Sequence, residues 1–232
     1  MLPVLLVPGL LCSPEIWSAQ QSALWPYGSV QIASTLGHST VTEIAASILD
    51  SAPERFNLAG ISLGGYICFE IMRQAPHRVG RLALLDTSAR PDRPEQSAGR
   101  REMLAAAAGD YLTTAVNGLT VIMRPDRHED PELKAINERM ARTVGLAGFR
   151  TQSEAAISRP DSRPILARIT TPTLVLVGDS DELTPKQLSE EIVDGLPDAR
   201  LTIIPKSGHA SAIEQPEFVS AELVKWFTGN AN

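Results

Sequence analysis

Ser62 sits inside "GISLGG", residues 60–65, with a glycine two positions before it and another two positions after it. That G-x-S-x-G spacing belongs to a nucleophile elbow, where a strand turns so sharply into a helix that the serine hydroxyl stands clear of the sheet. Glycine suits both flanks because it accepts backbone angles and close approaches closed to other residues. A serine hydroxyl is a poor nucleophile by itself; it needs a base to take its proton and an acid to orient that base. Of the four histidines, His38 and His77 flank expected helices and read as surface residues, and His128 lies in a charged stretch. His209 differs, because it follows the strand-like "RLTIIP" in the turn "KSGHA". The acid should likewise come from a loop after a strand: "TLVLVGDSDELTP" offers Asp179, Asp181 and Glu182, and Asp86 ends another strand, "RLALLD". The plainer alternative is a structural turn in which Ser62 only caps the following helix.

These side chains need elements to carry them. "PVLLV", "SVQIAS", "FNLAGIS", "RLALLD", "TLVLVG" and "RLTIIP" are short, nearly continuous apolar runs, as expected for strands covered on both faces of a parallel sheet. Helical patterns lie between them. "TVTEIAASIL" puts Val41, Ile44, Ala45 and Ile48 on one stripe with Thr40 or Thr42 as cap, and "PEFVSAELVKWF" starts on proline and spaces Phe218, Leu223 and Trp226 toward one side. Ser62 thus falls between the strand "FNLAGIS" and the helix "GYICFEIMRQ", whose start aims the Leu63 amide at negative charge forming beside the hydroxyl. The strand–helix alternation predicts a doubly wound α/β sheet. It stops once, between Ser88 and Arg168, where "REMLAAAAGDYLTTAV" and "DPELKAINERMARTV" are helical and are divided by Pro125, Pro131, Gly145 and Gly148. The expected organisation is therefore a core of residues 1–88 and 169–232 with a helical cap, residues 89–168, inserted over the end of the sheet.

Composition narrows the partners. The 232 residues are 43% hydrophobic with a formal net charge of −6 and scattered arginines, so no basic stripe invites nucleic acid or an anionic membrane. Cys12 and Cys68 have no metal-type spacing and are too few for a disulfide scaffold, which favours a reducing compartment. "MLPVLLVPGLL" lacks the basic start of a signal peptide and is broken by Pro8-Gly9, and no run approaches the roughly 20 apolar residues of a membrane span. A cytoplasmic protein acting on a small molecule, with no metal or organic cofactor, is the expectation; oligomeric state is not readable.

Taken in order, Pro8-Gly9 after the first strand, "GISLGG", "LVLVGDSDELTP" and "SGHASAIEQPEFV" resemble the α/β-hydrolase superfamily over nearly the whole chain, in particular its capped branch of esterases, enol-lactone hydrolases, C–C bond hydrolases and cofactor-free haloperoxidases. The resemblance implies an α/β fold, a mostly parallel sheet of about six strands with two strands of larger relatives missing, and a catalytic triad of Ser62, Asp181 and His209. It also implies an oxyanion hole built from the backbone N–H groups of Leu10 and Leu63, even though Pro8 stands where many relatives have histidine. Glu214 looks like a family feature expected to form a local salt bridge. In the cap, Arg124, Arg127 and His128 either meet an acidic substrate or, as is commoner for such clusters, are solvated charge, and Met103, Leu104, Leu112, Val121, Ile122 and Met123 either line an acyl pocket or pack the cap down. The implied activity is hydrolysis of a small carboxylic ester or lactone. C–C bond hydrolysis, perhydrolysis and a ligand-binding protein with little turnover are the alternatives.

Overall fold

The computed structural model describes residues 1–229. Each of the six apolar runs supplies one strand: β1 (Val4–Val7), β2 (Val30–Ile32), β3 (Phe56–Ile61), β4 (Val79–Leu85), β5 (Thr173–Gly178) and β6 (Ala199–Ile204). They form a single sheet in the order β2-β1-β3-β4-β5-β6, and every pairing is parallel. The alternation of side chains along the strands sends Leu5, Leu58, Leu82, Leu84 and Val175 to one buried cluster and Leu6, Ala59, Ala83, Leu85 and Leu176 to another. In β1, β3 and β5 every residue is buried, so polar residues have no side of the strand to occupy and the runs are nearly continuous in apolar residues, whereas the edge strands β2 and β6 are mostly only half-buried.

Ten α-helices are present among the described residues: α1 (Ser18–Leu24), α2 (Val41–Ser51), α3 (Leu63–Gln74), α4 (Pro94–Gly109), α5 (Tyr111–Val121), α6 (Pro131–Ile157), α7 (Arg163–Leu166), α8 (Lys186–Gly195), α9 (Ser211–Glu214) and α10 (Pro216–Thr228). Thr40 caps α2, its side chain accepting from the Glu43 N–H, and Val41, Ile44, Ala45 and Ile48 are the buried stripe. Burying a side chain the size of Ile44 or Ile48 contributes about 1.5–3 kcal/mol, far more than helix propensity does. In α10 Leu223 and Trp226 are buried on the expected side together with Val219 and Phe227, and Phe218 packs half-buried against the same cluster.

Between β4 and β5 lie only helices, with α5 packed along α6 and α4 against both. Gly145 interrupts α6 with φ 65° and ψ 167°, a combination open almost solely to glycine. Gly148 does not divide the segment; it is buried within α6 beneath Leu36. Beyond the kink, Phe149, Ala155 and Ala156 join the buried clusters of the sheet, so this end of α6 belongs to the core packing. Among the described residues no helix is long and apolar enough to cross a membrane.

In this strand order the chain leaves β1 toward β2 on one side and returns to β3 on the other. The crevice outside the carboxyl ends of β1 and β3 is thus the switch point where doubly wound sheets hold their ligands. Leu10 follows β1 there, and Ser62 follows β3.

Candidate active site

Ser62 occupies the turn from β3 into α3 with φ 54° and ψ −117°, a left-handed conformation that costs a non-glycine residue of the order of 1–3 kcal/mol. The surroundings enforce it. The Ser62 N–H donates to Leu85 O at 2.9 Å, and the Ser62 carbonyl accepts from Gly65 N–H at 2.9 Å and from the Thr87 hydroxyl at 2.8 Å. The two diagnostic glycines are steric necessities: a Cβ on Gly60 would strike the Gly64 carbonyl, and one on Gly64 would strike the Val7 carbonyl. Ser62 makes no side-chain cap for α3, which removes the plainer reading of this serine.

Its hydroxyl donates instead to His209 Nε2 at 2.8 Å. His209 Nδ1 lies 2.9 Å from Asp181 Oδ2, which places the ring proton on Nδ1 and leaves Nε2 as an acceptor. Asp181 is held in turn by the Leu183 N–H at 2.9 Å, the Thr184 N–H at 2.8 Å and the Thr184 hydroxyl at 2.7 Å. The same hydroxyl oxygen is 3.1 Å from His209 Nδ1. Burial opposes charge on Asp181, but the imidazole and the Thr184 donors win and hold its carboxyl below the usual range. Burial likewise opposes a charged His209, and the facing Asp181 carboxylate outweighs it, so the imidazole is more basic than an ordinary histidine. The other histidines stay apart: His77 is exposed, His38 is half-buried, and His128 Nε2 pairs with Met123 O at 3.0 Å.

The remaining acids have other partners. Asp179 accepts from the Lys206 and Ser207 N–H groups at 2.8 and 3.2 Å, and Glu182 is exposed. Asp86 is fully buried, and its carboxylate faces the Gly178 N–H at 3.0 Å and the Ser211 N–H at 3.4 Å rather than the imidazole. Burial and the neighbouring Asp181 push Asp86 up to about 8. Glu214 corrects an expectation: it forms no salt bridge among the described residues. Its Oε1 accepts from the Gly208 and Ala210 N–H groups, both at 3.1 Å, and its Oε2 from the Arg124 N–H at 3.0 Å. Bare backbone amides rather than a side-chain cation neutralise this buried carboxylate, because Gly208 is packed directly on the backbone of Ile122–Arg124.

Leu10 and Leu63 stand on the two turns facing Ser62, and among the described residues neither backbone N–H has a protein acceptor. The adjacent Leu11 N–H is taken by Gln152 Oε1 at 2.9 Å, and Gln152 Nε2 reaches Thr35 Oγ1 at 2.8 Å, so α6 fixes the turn that carries Leu10. A cavity of about 30 Å³ lies against Ser62 and His209, lined by Leu10, Ile16, Ile61, Leu119, Ile122 and Met140 among others. Of the cap residues considered above, Ile122 reaches it, Val121 is exposed, and Met123 is buried with Leu133 and Ala210. Met103, Leu104 and Leu112 pack against the cap and core, and Arg124 and Arg127 pair with Asp126 and Asp130. Cys12 borders the cavity, but burial pushes its thiol up to about 12. Among the described residues no cluster of three His, Cys, Asp or Glu side chains could hold a metal ion.

Thr184, Gln152 and Asn137, the last also at the cavity, are absent from the sequence-level site. Thr184 had a local signal, standing three residues after Asp181 where a side-chain-to-backbone turn closes. Gln152 had none, since its partners Leu11 and Thr35 are 141 and 117 positions away.

A sequence profile of the alpha/beta hydrolase fold matches residues 51–216. A Mycobacterium tuberculosis protein provisionally named the non-heme bromoperoxidase BpoC is 30% identical, the alignment covering 81% of this chain and 73% of the relative. The pimeloyl-[acyl-carrier protein] methyl ester esterase of Aromatoleum aromaticum is 27% identical over 92% of this chain and 93% of that enzyme. Among solved structures, a thermophilic esterase from Thermogutta terrifontis superposes with a TM-score of 0.88 at 28% identity, covering 99% of this chain and 90% of that one.

Proposed function

The chain belongs to the alpha/beta hydrolase family, and from that premise we propose that it cleaves a small carboxylic ester or lactone through an acyl-enzyme on Ser62. The observation that carries this reading is the 2.8 Å contact of the Ser62 hydroxyl with His209 Nε2, backed by Asp181 on Nδ1 at 2.9 Å. The esterases among its relatives support the bond type. Ser62 Oγ attacks the ester carbonyl carbon while its proton passes to His209 Nε2. Asp181 holds the imidazole in the right tautomer and stabilises it once charged. The oxygen that becomes negative is received by the Leu10 and Leu63 N–H groups; removing one donor from such an oxyanion hole costs about 3–4 kcal/mol in related chemistry. His209 then protonates the leaving alcohol, the carbon–oxygen bond breaks, and water activated by the same imidazole releases the acid. No metal or organic cofactor takes part in these steps.

Ser62→Ala tests the reading. Turnover of p-nitrophenyl butyrate should fall by at least about a thousandfold, and labelling by a fluorophosphonate should vanish. Wild-type turnover by the pure variant would overturn it.

The BpoC likeness favours a second reaction of the same acyl-enzyme, in which hydrogen peroxide replaces water as acceptor and a peracid leaves. Product analysis with acetate and peroxide distinguishes the two.

A further inference from the structure

Along α6 the buried positions Leu133, Asn137, Met140, Ala141 and Val144 form one helical stripe, and Asn137 stands where the pattern calls for an apolar residue. Its side chain is 1% exposed and lines the cavity at Ser62 and His209. The amide nitrogen has only distant partners, Thr120 Oγ1 at 3.4 Å and Met123 Sδ at 4.0 Å, and Oδ1 has no protein partner at all. Turning the amide end for end does not remove the problem: Oδ1 then takes the Thr120 hydroxyl and the N–H₂ is left open. A buried polar atom without a partner costs about 1–3 kcal/mol, and asparagine is also a weak helix former in mid-helix. Leucine would fill this place at lower cost to stability, so the carboxamide has to be explained by something it binds. The rest of the lining, Leu10, Ile16, Ile61, Leu119, Met140 and Ile213, offers little competing polar side-chain surface.

Resting on the reading of Ser62 as nucleophile, we infer that Asn137 is a specificity-determining residue whose Oδ1 accepts a hydrogen bond from an O–H or N–H carried by the substrate near its ester group. The substrate class is thereby narrowed to esters or lactones bearing such a donor. A site with a buried acceptor discriminates strongly against an analogue lacking the matching donor, because that analogue leaves the acceptor unpaired.

The experiment uses matched pairs: p-nitrophenyl butyrate against p-nitrophenyl 3-hydroxybutyrate for the acyl side, and propyl butyrate against 3-hydroxypropyl butyrate for the alcohol side. In the wild-type enzyme kcat/KM should favour the hydroxylated member of at least one pair by about tenfold. Asn137→Leu should abolish that ratio by lowering the hydroxylated rate and raising the plain one, with an unchanged or higher Tm. Asn137→Ser, which retains a smaller acceptor, should give an intermediate ratio. No preference in either pair of the wild-type enzyme, or a preference that survives in Asn137→Leu, overturns the assignment. Fluorophosphonate labelling of the wild type separates the two levels: a labelled, ester-cleaving enzyme without preference defeats only Asn137, whereas an unlabelled, inactive one defeats the hydrolase reading as well.

Discussion

At the scale of single residues, the proposed mechanism makes activity depend on the protonation of His209. In that mechanism the imidazole must be neutral at Nε2 to accept the Ser62 proton, so activity should be lost as pH falls through its pKa. Burial would move that pKa down, but the Asp181 carboxylate at 2.9 Å, helped by Glu214, moves it above the ordinary histidine value of 6.5. The acid limb of kcat/KM for p-nitrophenyl butyrate should therefore have its midpoint above pH 6.5, and a stopped-time pH series on the free enzyme checks it. A midpoint well below 6.5 would mean that the Asp181 carboxylate does not face a charged imidazole in solution. Much of this was legible from residue types alone. Ser62 and His209 could be picked out because each follows a strand and because a serine nucleophile requires a base, whereas Asp181 was singled out only by the family resemblance. The choice among Asp179, Asp181, Glu182 and Asp86 was not local, since it depends on which loop faces the imidazole across the sheet edge.

At the scale of elements, the central strands were readable because burial on both faces leaves a run of apolar residues that no exposed helix shares. The packed side of α10 was readable from Leu223 and Trp226, but not that Val219 is buried more deeply than Phe218, because both satisfy the helical period almost equally and only packing on neighbours such as α1 decides between them. The elbow joins the two kinds of information. A Cβ at Gly64 would meet the Val7 and Pro8 carbonyl oxygens, and as both are backbone in the first turn, neither can move without displacing Leu10. Gly64→Ala should consequently lower kcat/KM by at least about a hundredfold through misplacement of the reacting groups, an effect that small displacements are known to produce. Gly145→Ala separates sterics from conformation. Nothing lies within 4 Å of its added Cβ, but φ 65° with ψ 167° is denied to alanine, so the expected loss is about 1–3 kcal/mol in urea unfolding. A neutral Gly64→Ala would show that the strand-to-helix turn has room that the backbone positions deny.

At the scale of the whole molecule, the helical segment between β4 and β5 meets the sheet at the loop that carries His209, the base of the proposed mechanism. The His209 N–H donates to Ile122 O at 2.9 Å, and Glu214 ties the flanking Gly208 and Ala210 amides to the Arg124 amide. One carboxylate therefore fixes both the loop that carries the imidazole and the cap segment that closes the cavity. Glutamine has nearly the same shape but only one acceptor oxygen. If that oxygen keeps the Gly208 and Ala210 amides, the glutamine N–H₂ points at the Arg124 N–H, donor against donor; if it turns to Arg124, two donors are left facing the N–H₂. Either way at least one buried amide loses its acceptor, at about 1–3 kcal/mol, and Tm should fall by about 2–4 °C for each kcal/mol lost. Because the cheaper loss is the single amide on the cap side, Glu214→Gln should raise hydrogen exchange at residues 121–128 more than at residues 206–211. The kcat/KM of p-nitrophenyl butyrate should drop by about tenfold, since His209 keeps Asp181 and Ser62 but loses the support of the cap behind its backbone. Equal exchange in both segments, with wild-type turnover, would mean that cap and base are held independently and that Glu214 only fills space between them.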